Sequence, residues 1–411
     1  MSKIKSAIAL SDTHLGRDIG YLYSKDPNDH KFQKNRASLL GLLNRLGSQD
    51  ELILNGDFLE LSLAGLDEIY RDVKAFFTLL SDTGPYKRIV YIPGNHDHHF
   101  WRALGEQVHV NGKIGQGIDP PGHDKFPYCF VDERFSSQDP KLPCQIILAD
   151  LWPKDKPAPE IVVKYPHHLA EVTLDNGGYQ YYLFTHGHFL EDMFKPVNFL
   201  INPAHLEELE AFNNLWLEAI DYHLGHSGRL SDRVRELVGS YKKGGKEAKR
   251  EVKKLMELIY SNFKKRLKLR WPITCFLKWG LCWIVKKIPF EKKSGLFRVS
   301  IDEKLKRSIT DYIEKYIIQR YRKGKAADYH FPCDADIPTP FTFVFGHTHR
   351  PVKNKDEEEA KITVQGKMYP LANTGGWLRT DGTKAANGEN AGVLVIDQTG
   401  VRWESLGGKL E

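Results

Sequence analysis

The chain has 411 residues, 41% of them hydrophobic and 27% charged, with a formal net charge of +6. That balance suits a soluble globular protein of one large domain or two of ordinary size. Five scattered cysteines without a CxxC pair exclude a disulfide framework and a cysteine zinc site. No run of about 18 apolar residues is present to span a membrane, and the expected compartment is the cytoplasm, with a membrane-associated form on its inner face.

The opening "MSKIKSAIALSD" holds an apolar stretch too short for a signal peptide and reads as a first strand. From there to about Asp192, strand-length apolar runs ("SAIAL", "ELIL", "RIVYI", "CQIILA", "YYLF") alternate with helical or loop stretches, an α/β pattern. Leu39, Leu42, Leu43 and Leu46 keep a helical period that Gly47 ends. Near Asn198 the character changes. Asn202 and Pro203 read as an N-cap and first helical residue. Leu206, Leu209, Phe212, Trp216, Ala219 and Ile220 follow in helical register. A second helix is expected over Ala248–Leu267, and a third after Ser300, whose pairing with Glu303 fits a capping box. Ile301, Leu305, Ile309, Tyr312 and Tyr316 form its apolar face. Strands return with "FTFVF", "KITVQ", "KMYPLA", "AGVLVI" and "VRWES". The pattern predicts an α/β core over 1–195 and 336–411, interrupted by a mainly helical insertion over 196–335.

Five strand-length runs end in side chains that bind metals. "IALSDTH" ends in Asp12 and His14, "LILNGDF" in Gly56 and Asp57, and "IPGNHDHHF" carries Asn95, His96, Asp97 and His98. "YYLFTHGH" ends in His186 and His188, and "FVFGHTH" in His347 and His349. In open α/β sheets, sites gather at the carboxyl ends of strands. Carboxylates and imidazoles crowded on one rim are mutually satisfied by cations. Oxygen and nitrogen donors without thiolate suit Mn²⁺ first; Fe, Zn²⁺, Ni²⁺ and Mg²⁺ are compatible, and Ca²⁺ less so. The donors outnumber the ligands of one tetrahedral ion, which suggests two ions sharing a carboxylate. A D-x-H tripeptide or a G-D dipeptide alone means little. All five motifs in order, each at a strand end, are specific.

This ordered set (D-x-H, G-D, G-N-H-[DE], H, G-H-x-H) resembles the calcineurin-like metallophosphoesterase superfamily over roughly 1–195 and 335–411. The resemblance implies a four-layered α/β sandwich around two central sheets, with a dinuclear metal site. It implies that Asp12, His14 and His349 hold one ion and Asn95, His186 and His347 the other, with Asp57 bridging. His96 would protonate the leaving oxygen and Asp97 would orient it. The implied reaction is direct attack of a metal-bridging hydroxide on a phosphomonoester or phosphodiester. His188 and His98 are expected beside the substrate. His99 reads equally as a phosphate contact or a turn residue. His167 and His168 are expected on the surface, and "NTGGW" (Asn373–Trp377) as a structural turn.

The insertion is where the charge lies. From Arg229 to Lys325 there are 29 Lys/Arg against 10 Asp/Glu, a net of +19, leaving −13 for the rest of the chain. Between Leu258 and Phe290 no acidic residue occurs, and Trp271, Trp279 and Trp283 lie within "WPITCFLKWGLCWIVKKIPF". Tryptophan with lysine flanks suits a helix in an anionic membrane interface; a core helix of the insertion fits as well. A basic arm for nucleic acid, as in a metal-dependent nuclease, is the alternative. A helical insertion over the site makes the chain similar, distantly, to the UDP-2,3-diacylglucosamine pyrophosphohydrolases. Those carry arginine where His96 stands, and their insertion is shorter. Lipid-linked and nucleotide-type phosphoesters are both compatible substrates, and the oligomeric state is left open.

Overall fold

The computed structural model describes residues 2–26, 28–120, 131–135, 151–190, 206–223, 250, 303–318, 340–352, 360–379 and 390–406. Two sheets organise them. One has the strands β1 (Ser2–Ile4), β7 (His168–Thr173), β8 (Tyr179–Thr185), β9 (Thr342–Phe345), β11 (Lys367–Asn373) and β10 (Lys361–Val364) in the order β1-β7-β8-β9-β11-β10. The other runs β13-β12-β2-β3-β4-β6-β5. Its members are β2 (Ala7–Leu10), β3 (Gln49–Asn55), β4 (Tyr86–Ile92), β5 (Val131–Phe135), β6 (Glu160–Tyr165), β12 (Gly392–Asp397) and β13 (Gly400–Ser405).

The strand sequences explain the layering. β2, β3 and β4 are buried almost without interruption, as parallel strands covered on both faces must be. Ile53, Val90, Ile92, Leu394 and Ile396 of one sheet meet Ala170, Tyr182, Phe184 and Val344 of the other in a single apolar core. On the outer face of the second sheet lie α1 (His30–Leu46) and α2 (Leu66–Ser81), whose Phe76 packs on Phe58 and, through it, on Tyr91 of β4. Gly47 ends α1 in the left-handed region, φ 68°, which glycine adopts without a Cβ clash. Across the first sheet, α6 (Glu303–Tyr312) sets the Tyr312 ring against Phe343 of β9. Helix, sheet, sheet and helix make the four-layered α/β sandwich that the family resemblance implies.

The registers position the site. β2, β3 and β4 are adjacent and parallel, and so are β8 and β9. The five motif-bearing strands therefore form two neighbouring groups whose carboxyl ends share one rim.

Several expectations change. β6 ("EIVVKY") and β7 ("HLAEVT") are strands that the apolar pattern did not single out. His167 and His168 are buried, not on the surface. His168 Nε2 meets Glu51 at 2.8 Å, tying β7 of one sheet to β3 of the other, and His167 Nε2 meets the Tyr312 hydroxyl at 2.7 Å. The helix predicted from Leu206 is α5 (Leu206–Trp216), which passes into a π-helical turn, Leu217–Tyr222. The strand "CQIILA", the Asn202–Pro203 cap, Ser300, the helix over Ala248–Leu267 apart from Arg250, and the tryptophan-bearing stretch lie outside the described residues. Contacts divide the chain into Met1–Tyr222 with Ser300–Glu411, and His223–Val299. Helices α5 and α6, placed by sequence in the insertion, belong to the first of these units. Among the described residues no helix is long and apolar enough to cross a membrane.

Candidate metal centre

Each motif residue takes its place because a strand stops and the backbone turns sharply. Asp12, His14, Asp57, His347 and His349 all have positive φ, between 45° and 64°. This region costs a non-glycine residue of order 1–3 kcal/mol and persists only where the surroundings impose it. Here the loops are laced to one another. Asp12 N–H donates to the Gly56 carbonyl at 3.0 Å, His14 N–H to Asp57 at 2.9 Å, and Gly346 N–H to His186 at 2.9 Å.

Two donor groups result, lined by side chains that are buried except for the half-buried His347. In the first, His349 Nε2 lies 3.1 Å from Asp12 Oδ1 and 3.4 Å from His14 Nε2. In the second, His186 Nε2 lies 3.1 Å from Asn95 Oδ1, 3.2 Å from His347 Nδ1 and 3.3 Å from Asp57 Oδ2. The same Asp57 oxygen is 3.8 Å from His14 Nε2 of the first group. The donor atoms of Asp12, His14 and His349, and those of Asp57, His186 and His347, each lie within 4.8 Å of one another.

The tautomers fit a cation. His186 Nδ1 donates to the Asn55 carbonyl at 3.1 Å, and His14 Nδ1 to Glu60 Oε2 at 3.0 Å. Both rings then turn an Nε2 lone pair toward carboxylate or amide oxygens, the outer-shell arrangement usual for metal-ligating histidines. Asp12 Oδ1, fully buried, accepts no hydrogen bond. Burial disfavours the His186 imidazolium, but the Asp57 carboxylate and its hydrogen bond, with Asp12 and Asp97 beyond, push its pKa up to about 9. A proton there holds lone pairs together that a divalent ion would hold instead.

Glu60 was not anticipated from the sequence. It is fully buried and gathers His14 Nδ1 and Arg17 Nη1 on Oε2, each at 3.0 Å, and His96 Nδ1 on Oε1 at 2.7 Å. Burial would raise its pKa, yet the neighbouring His96 and Arg17 charges hold its carboxyl well below the usual range. The atoms of His14, Glu60 and His96 converge as donor–acceptor pairs already made, so this trio orients rings.

Asp97 was expected to orient His96; its carboxylate is engaged by backbone N–H groups. Its Oδ2 accepts from the N–H of Phe58 at 2.9 Å and Leu59 at 3.4 Å, and its Oδ1 from the N–H of Gly94. It fastens the turn that carries His96 to the turn that carries Asp57. Burial and the Asp57 charge raise its pKa to about 6. His98 was expected beside substrate. It is buried, with Nε2 on Glu210 at 2.7 Å and Nδ1 on Glu218 at 3.1 Å. His188 is buried against His186, their ring centroids 5.6 Å apart, and burial with the nearby His186 and His347 charges keeps it neutral.

"NTGGW" supports the last motif. Asn373 Nδ2 donates to the Gly346 carbonyl at 3.0 Å, and the Thr374 and Ser11 hydroxyls are 2.6 Å apart, with Ser11 donating on to Asp12 Oδ2. A Cβ on Gly376 would stand 2.6 Å from His349 Cβ, so glycine there leaves room for a motif histidine.

A family model described as calcineurin-like phosphoesterase matches residues 6–261. The chain belongs to that family. No curated protein matches it. The match takes in Asp12, His14, Asp57, Asn95, His96 and His186; it also runs past residue 195, where the motif resemblance stopped. His347 and His349 lie beyond it, and the fold returns them to the same rim. As a calcineurin-like phosphoesterase the protein is a metal-dependent phosphoric ester hydrolase acting on phosphoester substrates.

Proposed function

We propose that this phosphoesterase works with two divalent ions, Mn²⁺ foremost, and hydrolyses phosphomonoesters or phosphodiesters without a covalent enzyme intermediate. Asp12, His14 and His349 would hold one ion, Asn95, His186 and His347 the other, and Asp57 both. The observation that carries this reading is the place of Asp57, whose single Oδ2 faces a histidine of each donor group, His14 at 3.8 Å and His186 at 3.3 Å. Bound ions of this kind supply Lewis acidity toward phosphoryl oxygens and an acidified water as nucleophile.

The chain's own groups do the rest. His96 is a fifth exposed, while the carboxylate it grips is fully buried. Its Nδ1–H donates to the Glu60 carboxylate, which favours the doubly protonated ring, and the proton for the leaving oxygen is the one on Nε2. Glu60 stabilises that imidazolium and, through His14, ties the acid to a ligand. Metal-stripped protein should be inactive on a panel of phosphomonoesters and diesters, and Mn²⁺ should restore turnover. Full activity in the stripped protein would sink the reading.

We infer further that the basic segment from Arg229 to Lys325 brings the enzyme to anionic surfaces. Its acid-free stretch with Trp279 and Trp283 favours a lipid interface over nucleic acid. Flotation with vesicles should rise with anionic lipid, fall with salt, and be lost with Trp279→Ala and Trp283→Ala together. Salt-steep DNA binding without flotation would favour a nuclease instead.

A further inference from the structure

The turn that carries Asn95 and His96 runs straight into α3 (His98–Glu106). The start of this helix has no side-chain cap of its own: Asp97, at the capping position, spends its carboxylate on Phe58, Leu59 and Gly94. What holds the first turn comes from more than a hundred residues away. Glu218, in the π-helical turn after α5, bridges two successive imidazoles, with Oε1 3.1 Å from His98 Nδ1 and Oε2 2.6 Å from His99 Nδ1. Glu210, fully buried on α5, uses both oxygens as well: Oε1 is 2.7 Å from His98 Nε2, and Oε2 accepts from the Tyr165 hydroxyl at 2.7 Å. Tyr165 closes β6, and Tyr222 lies flat on His99, ring centroids 3.5 Å apart.

The chemistry makes this a rigid grip. Carboxylates only accept, so a ring with both nitrogens on carboxylates carries both protons. His98 is therefore an imidazolium clamped on two sides, in a site that is 1% exposed. Removing one partner from a buried charged pair leaves the other uncompensated, so the elements carrying them must move together or separate at large cost. His98 is three residues from Asn95, whose Oδ1 must stay within reach of His186 Nε2.

We propose that Glu210 and Glu218 are positioning residues for the metal centre. They fix the start of α3 against α5 and so set the place of the Asn95–His96 turn. The proposal rests on the reading of Asn95 as a ligand of the second ion. It implies an asymmetry: loosening the clamp disturbs the donor group of Asn95, His186 and His347, and spares that of Asp12, His14 and His349.

The test is calorimetric titration of the metal-stripped, full-length protein with Mn²⁺. Wild type should show two binding steps, and Asn95→Ala identifies the step that belongs to the second group. Glu218→Ala should weaken that same step by about tenfold or more, the usual scale for an outer-shell partner, and leave the other step unchanged. Glu218→Gln should retain the affinity, because an amide still spans the two rings with one acceptor and one donor; general loss of fold would weaken both steps instead. Where the alanine variant does not fold, Glu218→Asp, a methylene too short to bridge both rings, should show the same selective weakening. Two wild-type steps in every Glu218 variant would overturn the proposal. Wild-type protein that takes up no Mn²⁺ would overturn the reading of the site along with it.

Discussion

Asp57→Ala should empty both metal positions together. The Asp57 carboxylate is in reach of both donor sets, with Oδ2 near His14 and His186, while its Oδ1 accepts from the His96 N–H at 2.8 Å. Its burial is complete, and the surrounding His186 and His96 charges overcome the cost of burial and hold its carboxyl well below the usual range. Removing it takes a shared anion from among four imidazoles. Cations then meet histidines whose mutual repulsion is no longer offset. By contrast, Asp12→Ala takes an anion from the first set alone, and should lower metal content without abolishing it. Elemental analysis of the purified proteins decides this, read beside thermal melts that establish folding. Wild-type metal content in Asp57→Ala would remove the bridging role, and with it the argument for a pair of ions sharing one carboxylate.

The contrast between Glu60 and Asp97 explains what the sequence could and could not disclose. The motif residues were legible because each motif joins an apolar run to a ligating side chain, four of the five with a glycine, and the run fixes where the strand ends. Which carboxylate serves which ring was not legible. Asp97 follows His96 directly, and adjacency suggested a pair. In a turn this tight, neighbouring side chains diverge, and Asp97 engages backbone N–H groups of another strand end, Phe58 and Leu59, as well as Gly94 of its own turn. Glu60 stands three residues beyond Asp57 in "NGDFLE" and resembles any acid in a loop. Only the pairing of β3 with β2 and β4 brings it to His14 and His96. His98 shows the same limit over a greater span: its partners Glu210 and Glu218 are on a helix with no local signal tying it to α3. His167 and His168 were misread because a polar pair after a proline looks exposed, whereas Glu51 and Tyr312 receive them inside.

His96→Ala should leave both metal positions filled and lower kcat by roughly two to four orders of magnitude, the range for a lost general acid. The geometry separates the two properties. The His96 ring is edge-on to His14, centroids 4.7 Å apart, and its Nδ1 is held by Glu60, which also accepts from Arg17 and His14. Its loss therefore takes no anion from either donor set. What is lost is the Nε2 proton of an imidazolium that the Glu60 carboxylate, 2.7 Å from Nδ1, stabilises. The cost must then depend on how badly the leaving oxygen needs a proton. Alkyl phosphates, whose alkoxide is a poor leaving group, should suffer the full loss. Nitrophenyl phosphates, whose phenolate departs unaided, should suffer much less. Glu60→Gln should fall between, since an amide oxygen still accepts from Nδ1 but no longer stabilises a charged ring. The measurement is kcat against leaving-group pKa for wild type and both variants, with metal content determined on the same samples. A steeper dependence in His96→Ala than in wild type is the expected result. Parallel lines, with an equal loss for good and poor leaving groups, would mean that His96 steadies the phosphate and gives it no proton.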